Sequence, residues 1–209
     1  MERMDRIRLR AGVVWVASGV LAMVVWTAGG AEPGVGPVTW AVVAALAAAI
    51  TAQLGPPRTR WWAARLGGSV IGVLLLGAVG DRFGVLGAPG DPGVSWGDWA
   101  HFRAETAELV PWSSMVPAAA VTATALELVL GALLVVGWQA RWTGKLAAGL
   151  FAVYLIAMIP GMGFGSLLQF GVPVLIGGCL VASARGRRPV SDDRQPRSAV
   201  VAAAPGVEA

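Results

Sequence analysis

The sequence predicts an all-α polytopic membrane protein, a transmembrane helical bundle of six spans. Two observations carry that prediction. The 209-residue chain is 56% hydrophobic and only 13% charged, where a soluble domain carries about 25% charged residues. Its apolar residues also gather into six continuous runs rather than alternating ones, which excludes a membrane β-barrel. With no water to satisfy the backbone in lipid, continuous runs of Ala, Leu, Val and Gly must be helices.

The six runs cover residues 11–30, 38–54, 61–80, 116–137, 146–163 and 166–183. Each is long enough to cross ~30 Å of hydrocarbon at ~1.5 Å per residue. The first begins after Arg3, Arg6, Arg8 and Arg10, as a signal peptide would. Its apolar stretch exceeds the ~7–15 residues of a signal core and no clean small-x-small site follows, so a retained span is expected.

Charge gives the orientation. All Lys and Arg residues except Arg82 and Arg103 fall on one side of a six-pass topology. Arg58, Arg60 and Arg65 lie around the second and third spans, Arg141 and Lys145 after the fourth, and Arg185, Arg187, Arg188, Arg194 and Arg197 after the sixth. The positive-inside rule then places both termini in the cytoplasm of a bacterial inner membrane. The pI near 10.5 is accounted for by these loops, so no nucleic acid is expected as a partner; membrane lipids are. Trp61, Trp62, Trp138 and Trp142 fall at predicted inner boundaries, and Trp26 and Trp40 near outer ones, where indole is held by both apolar and polar neighbours. High Ala, Gly, Val and Arg with a single Lys fit a GC-rich bacterial genome.

Three regions follow: an N-terminal two-helix hairpin over 1–60, a four-helix bundle over 61–185, and a disordered cytoplasmic tail over 186–209. Within the bundle, residues 81–115 form an outer segment without a spanning signal, long for a connection with no role. It opens Asp81-Arg82-Phe83-Gly84, turns through Gly and Pro, and reaches Ser95-Trp-Gly-Asp98, a capping-box pattern. Trp99, Phe102 and Leu109 then share one helical face up to Pro111, so a short amphipathic helix is expected along the outer membrane surface. His101, the one histidine in the sequence, is either a proton acceptor or a surface residue on the polar face.

Glu127 lies about ten residues into the fourth span. A carboxylate there costs about 2.5–3.5 kcal/mol on insertion scales and pairs or faces a cavity. Tyr154 lies at similar depth, Arg65 is able to reach inward from the third span, and Thr124 shares the face of Glu127 three residues earlier. Ser69 and Gln169 are further candidates. The cluster is a proton- or substrate-contacting site or an interhelical clamp; both remain open. Gly68 with Gly72, and Gly161 with Gly165, have the small-xxx-small spacing that lets helices approach. Pro173 is expected to kink the sixth span. No metal-ligand cluster, phosphate loop or nucleophile motif is present, which argues against an autonomous enzyme. Cys179 has no second cysteine to pair with.

From about residue 64 to 183 the chain resembles the DoxX-like membrane proteins. The resemblance rests on Arg65-Leu-Gly-Gly, Gly72, Asp81-Arg-Phe-Gly84, Trp96-Gly-Asp, Phe102, the Glu127-x-x-x-Gly131 helix through Gly137, and Arg141. It implies a four-helix bundle in the C-terminal two thirds, preceded here by two additional spans. It also implies Arg65 and Glu127 as the polar pair inside that bundle and Arg141 at its cytoplasmic rim. A membrane subunit or anchor of a quinone-linked redox assembly is the implied role, with quinone as the candidate cofactor, touched near Glu127, Arg65 and the outer helix, and redox protein subunits or a second copy as partners. A proton- or cation-coupled transporter using Glu127 and a non-catalytic scaffold are the alternatives.

Overall fold

The computed structural model describes residues 3–32 and 34–184; the expected tail over 186–209 lies outside them. The described residues form seven α-helices and two 3-10 turns, with no strand. Helix α1 spans Arg3–Ala28 and α2 spans Pro37–Thr51, prolonged by a 3-10 turn at Ala52–Leu54. Next come α3 (Pro57–Asp81) and the short α4 (Trp99–Leu109). After a 3-10 turn at Ser113–Met115 follow α5 (Val116–Val136), α6 (Ala140–Gln169) and α7 (Val172–Ser183).

Five of these are long and apolar enough to cross a membrane: α1, α2 with its turn, α3, α5 with its turn, and α6. Their outward faces carry large apolar side chains, among them Leu21, Val73, Val136 and Ile156, each more than 60% exposed. Such a belt is unfavourable against water and matches hydrocarbon. Trp62, Trp138 and Trp142 are exposed at the end where α3 starts and α5 gives way to α6.

The expected sixth span, 166–183, is divided. Residues 166–169 complete α6, the chain breaks at Phe170 and Gly171, and only 12 residues form α7. At ~1.5 Å per residue that helix is about 18 Å long, short of the hydrocarbon thickness. Pro173 does not kink it. It stands in the first turn of α7, where its missing N–H would have had no acceptor anyway. The kink falls instead in α6, where Pro160 is followed by Gly163 at φ 82°, ψ 170°. Proline removes one backbone bond and clashes with the preceding turn, and glycine alone adopts the reversed dihedral without strain.

Every residue of α7 except Leu180 is buried. A helix apolar on all sides has no surface face, so it becomes the core, enclosed by α1, α6 and α3. One continuous set of buried side chains runs from Val16 and Met23 of α1 through Leu46, Ile71, Leu134 and Phe151 to Val174 and Cys179, so α1 and α2 share the core of the later helices.

Two backbone-to-backbone approaches set the register. A Cβ on Gly72 would lie 2.7 Å from the Gly131 carbonyl oxygen, and with Arg65 bonded to Leu134 and Arg82 to Thr124, α3 runs antiparallel to α5. A Cβ on Gly177 would lie 2.6 Å from the Gly12 carbonyl oxygen, and with Gly19 against Val174, α7 runs antiparallel to α1. By this register Arg3, Arg6, Arg8, Arg10, Arg58, Arg60, Arg65, Arg141 and Lys145 gather at one end of the bundle, and α4 lies at the other. Gly68 and Gly161 sit differently from each other: Gly68 makes only ordinary contact with Ala182, while Gly161 touches the Glu108 carbonyl at the end of α4.

Overpacking a filled helix contact costs about 1–3 kcal/mol. Gly177→Val is therefore expected to lower the thermal midpoint of the detergent-solubilised protein clearly. Gly77→Ala, where nothing lies within 4 Å, is expected to leave it unchanged or slightly raised. Tryptophan fluorescence during heating compares the two.

Candidate polar site beneath the connecting segment

The site begins where α3 ends. Phe83 N–H bonds the Gly80 carbonyl and Gly84 N–H bonds Asp81, so the chain turns as soon as the helix stops. Asp81, only 3% exposed, folds the following segment back onto this turn. Its carboxylate accepts the backbone N–H groups of Ser95 and Trp96, each at 3.0 Å, and of Gly97 at 3.4 Å. A carboxylate that collects several backbone donors is a strong local anchor.

Capping of α4 differs from the sequence pattern. Asp98, not Ser95, is the N-cap residue, accepting the His101 N–H at 2.8 Å. Ser95 lies three residues before that cap, with its backbone N–H held by Asp81. Helix α4 buries Phe102 and Thr106 against the bundle, and the rings of Phe83 and Trp99 stack at 5.8 Å.

Arg82, next to Asp81, points into the bundle and is 2% exposed. Its Nη1 donates to Thr124 Oγ1 at 2.8 Å. Its Nη2 lies 2.6 Å from Glu127 Oε2, an ion pair without the alignment of a directed hydrogen bond. On the other carboxylate oxygen of Glu127, the Tyr154 hydroxyl donates a hydrogen bond. The guanidinium plane lies over Phe102 at 3.8 Å and near Trp96 at 5.0 Å, a desolvated cation–π contact. Trp96 in turn donates from Nε1 to Glu105 Oε2 at 2.6 Å. Arg82 Nε is buried with no acceptor among the described residues. The site thus joins α3, α4, α5 and α6 through one charge pair and its surrounding rings.

The structure brings together Glu127, Tyr154, Thr124 and Arg82, with Asp81 one residue behind. It does not bring Arg65 to Glu127. Arg65 donates from Nη1 to the Leu134 carbonyl at 3.0 Å and to Ser69 Oγ at 3.1 Å, and from Nη2 to the Val136 carbonyl at 2.8 Å. Those carbonyls are the unpaired ones at the end of α5, where a cation is favoured. Seven to nine residues of helix, about 10–13 Å, separate them from Glu127. His101 is exposed on α4 with its ring Nδ1 2.9 Å from Asp98, away from the buried pair. Gln169 meets Thr39 through its backbone carbonyl.

Two surface clefts are present elsewhere. One, of 450 Å³, is apolar and bordered by Leu21, Val25, Trp26 and Phe164. The other, of 380 Å³, is bordered by Arg3, Arg6, Ile7 and Arg10. Neither touches Arg82 or Glu127. Among the described residues, no three His, Cys, Asp or Glu side chains converge as a metal site would require.

No family model matches this chain, and no curated protein or solved structure matches it.

Removing one partner of a buried pair strands the other charge and costs about 3–5 kcal/mol, whereas replacing both by apolar groups restores much of the loss. Arg82→Met and Glu127→Leu are each expected to destabilise the bundle on that scale, and the double variant by less than either alone. A thermal or denaturant double-mutant cycle measures the difference.

Titration offers a second handle. Burial raises the Glu105 carboxyl above its ordinary value, outweighing the Trp96 N–H that favours its anion. The folded protein therefore binds a proton more tightly than the unfolded one, so the seating of α4 weakens as pH rises from the ordinary Glu range through the raised value. Asp98 is held below the usual range, first by the His101 backbone N–H. Its contribution is present above the ordinary Asp value and is lost as pH falls through the lowered one. Glu105→Gln is expected to remove the first dependence and keep the second. Protease protection of the 83–98 segment, compared across about pH 2–8, distinguishes them.

Proposed function

We propose that this chain is a membrane-embedded, non-catalytic subunit or anchor of a DoxX-like, quinone-linked redox assembly, oriented with its arginine-rich end in the cytoplasm. The observation that carries the anchoring part is the commitment of the site's charges to one another. Arg82 and Glu127 are buried and bonded across helices, and neither described cleft reaches them. A pair closed in this way holds the 83–98 segment and α4 as a fixed platform above the bundle, the property a docking surface for a soluble partner needs. The redox class rests on the resemblance, whose Asp81-Arg-Phe-Gly84, Trp96, Phe102 and Glu127 are also the residues around which the site is built.

A proton-coupled transporter is the second reading, favoured by a lone carboxylate deep in an apolar helix. Its weakness is the absence of a polar path to Glu127 from the two described clefts.

Mild-detergent purification of the tagged chain, followed by mass spectrometry of retained proteins, lipids and quinones, tests the proposal. Redox proteins or stoichiometric quinone are the expected companions, and Glu127→Gln is expected to reduce their retention. A chain that carries only bulk lipid and gives proton flux in liposomes would replace this reading with the transporter.

A further inference from the structure

The first three turns of α1 separate two kinds of charge. Asp5 and Arg8 are buried, and Arg8 Nη1 meets Asp5 Oδ1 at 3.0 Å; this pair begins the face that continues through Gly12, Val16, Gly19 and Met23 into the core. Arg3, Arg6 and Arg10 lie on the opposite, exposed face. They border one cleft of 380 Å³, whose remaining wall is Ile7. No carboxylate among the described residues pairs with any of the three.

At 100° per residue, positions 3, 6, 7 and 10 fall within about one third of the helix circumference. Like charges three and four residues apart repel and weaken a helix, so this arrangement costs stability unless an anion lies among them. Arg3 to Arg10 extends about 10 Å along the axis, enough to cross the roughly 5–8 Å of one headgroup layer of a bilayer. Arg10 directly precedes the apolar run that starts at Ala11, so the cleft stands where acyl chains give way to headgroups. Guanidinium groups grip phosphate bidentately, and Ile7, half exposed inside the cleft, suits a glycerol or upper acyl segment rather than a free ion.

We propose that Arg3, Arg6, Ile7 and Arg10 form a binding site for the phosphodiester headgroup of an anionic glycerophospholipid. The three guanidiniums hold the phosphate and Ile7 contacts the acyl end. The site is independent of the redox reading, since it lies at the opposite end of the bundle from α4.

The test is a titration of the full-length protein in mild detergent with phosphatidylglycerol or phosphatidylcholine, counting bound lipid by native mass spectrometry. The wild type is expected to prefer phosphatidylglycerol. Replacing all three arginines by glutamine is expected to reduce that preference roughly a hundredfold. A triple lysine variant is expected to fall between the two, because it keeps charge and loses the bidentate grip. Arg103→Gln on exposed α4 is the control and is expected to change nothing. Unchanged preference in a folded glutamine variant would overturn the proposal. Full displacement of the lipid by millimolar inorganic phosphate would overturn it too, showing a free-anion site.

Discussion

The Arg82–Glu127 ion pair is the constraint around which the rest of this structure is arranged. Neither charge is tolerable alone in an apolar bundle, because desolvation costs more than any single neutral contact returns. Once paired, they impose geometry: α3 must end at Asp81, the chain must turn at once, and α5 must present Glu127 opposite the guanidinium. The aromatic rings of Trp96 and Phe102 close over the remaining face of Arg82. A connection that would otherwise float becomes a seated lid.

Register between the helices makes that pairing reachable. The approach of Gly72 to Gly131 places Arg82, ten residues on, level with Val121, between one and two turns from Glu127. An arginine side chain covers the difference. The same approach brings Arg65 level with the end of α5, where its guanidinium satisfies carbonyls that helix geometry leaves unpaired. One arginine within α3 and one just past its end thus serve the end and the middle of the neighbouring helix. Around them α7 supplies a centre that needs no polar contact, its close packing against α1 made by Gly12 and Gly177.

The sequence disclosed the helices by their apolar runs and named Glu127 by its cost, since both signals are local. Tyr154 and Thr124 followed from depth and from helical spacing. The partner of the carboxylate did not, because choosing between Arg65 and Arg82 requires the α3–α5 register, and two glycines among 29 set that register. Arg82 also looks external, two residues past an apolar run, until its inward reach is known. Asp81 shows a related limit: it takes the backbone N–H groups of residues about 15 positions on, which no local pattern identifies beforehand. The division of the last span was hidden by a run that stays apolar through Phe170 and Gly171, so that length alone suggested one continuous helix.

Hydrogen exchange tests most directly whether the buried pair holds the lid. In Glu127→Gln, the amides of Ser95, Trp96 and Gly97 and those of α4 are expected to lose protection, while α1 and α7 keep theirs. Protection that stays unchanged across 83–109, or falls equally throughout the bundle, would contradict a latch between Glu127 and the segment above it.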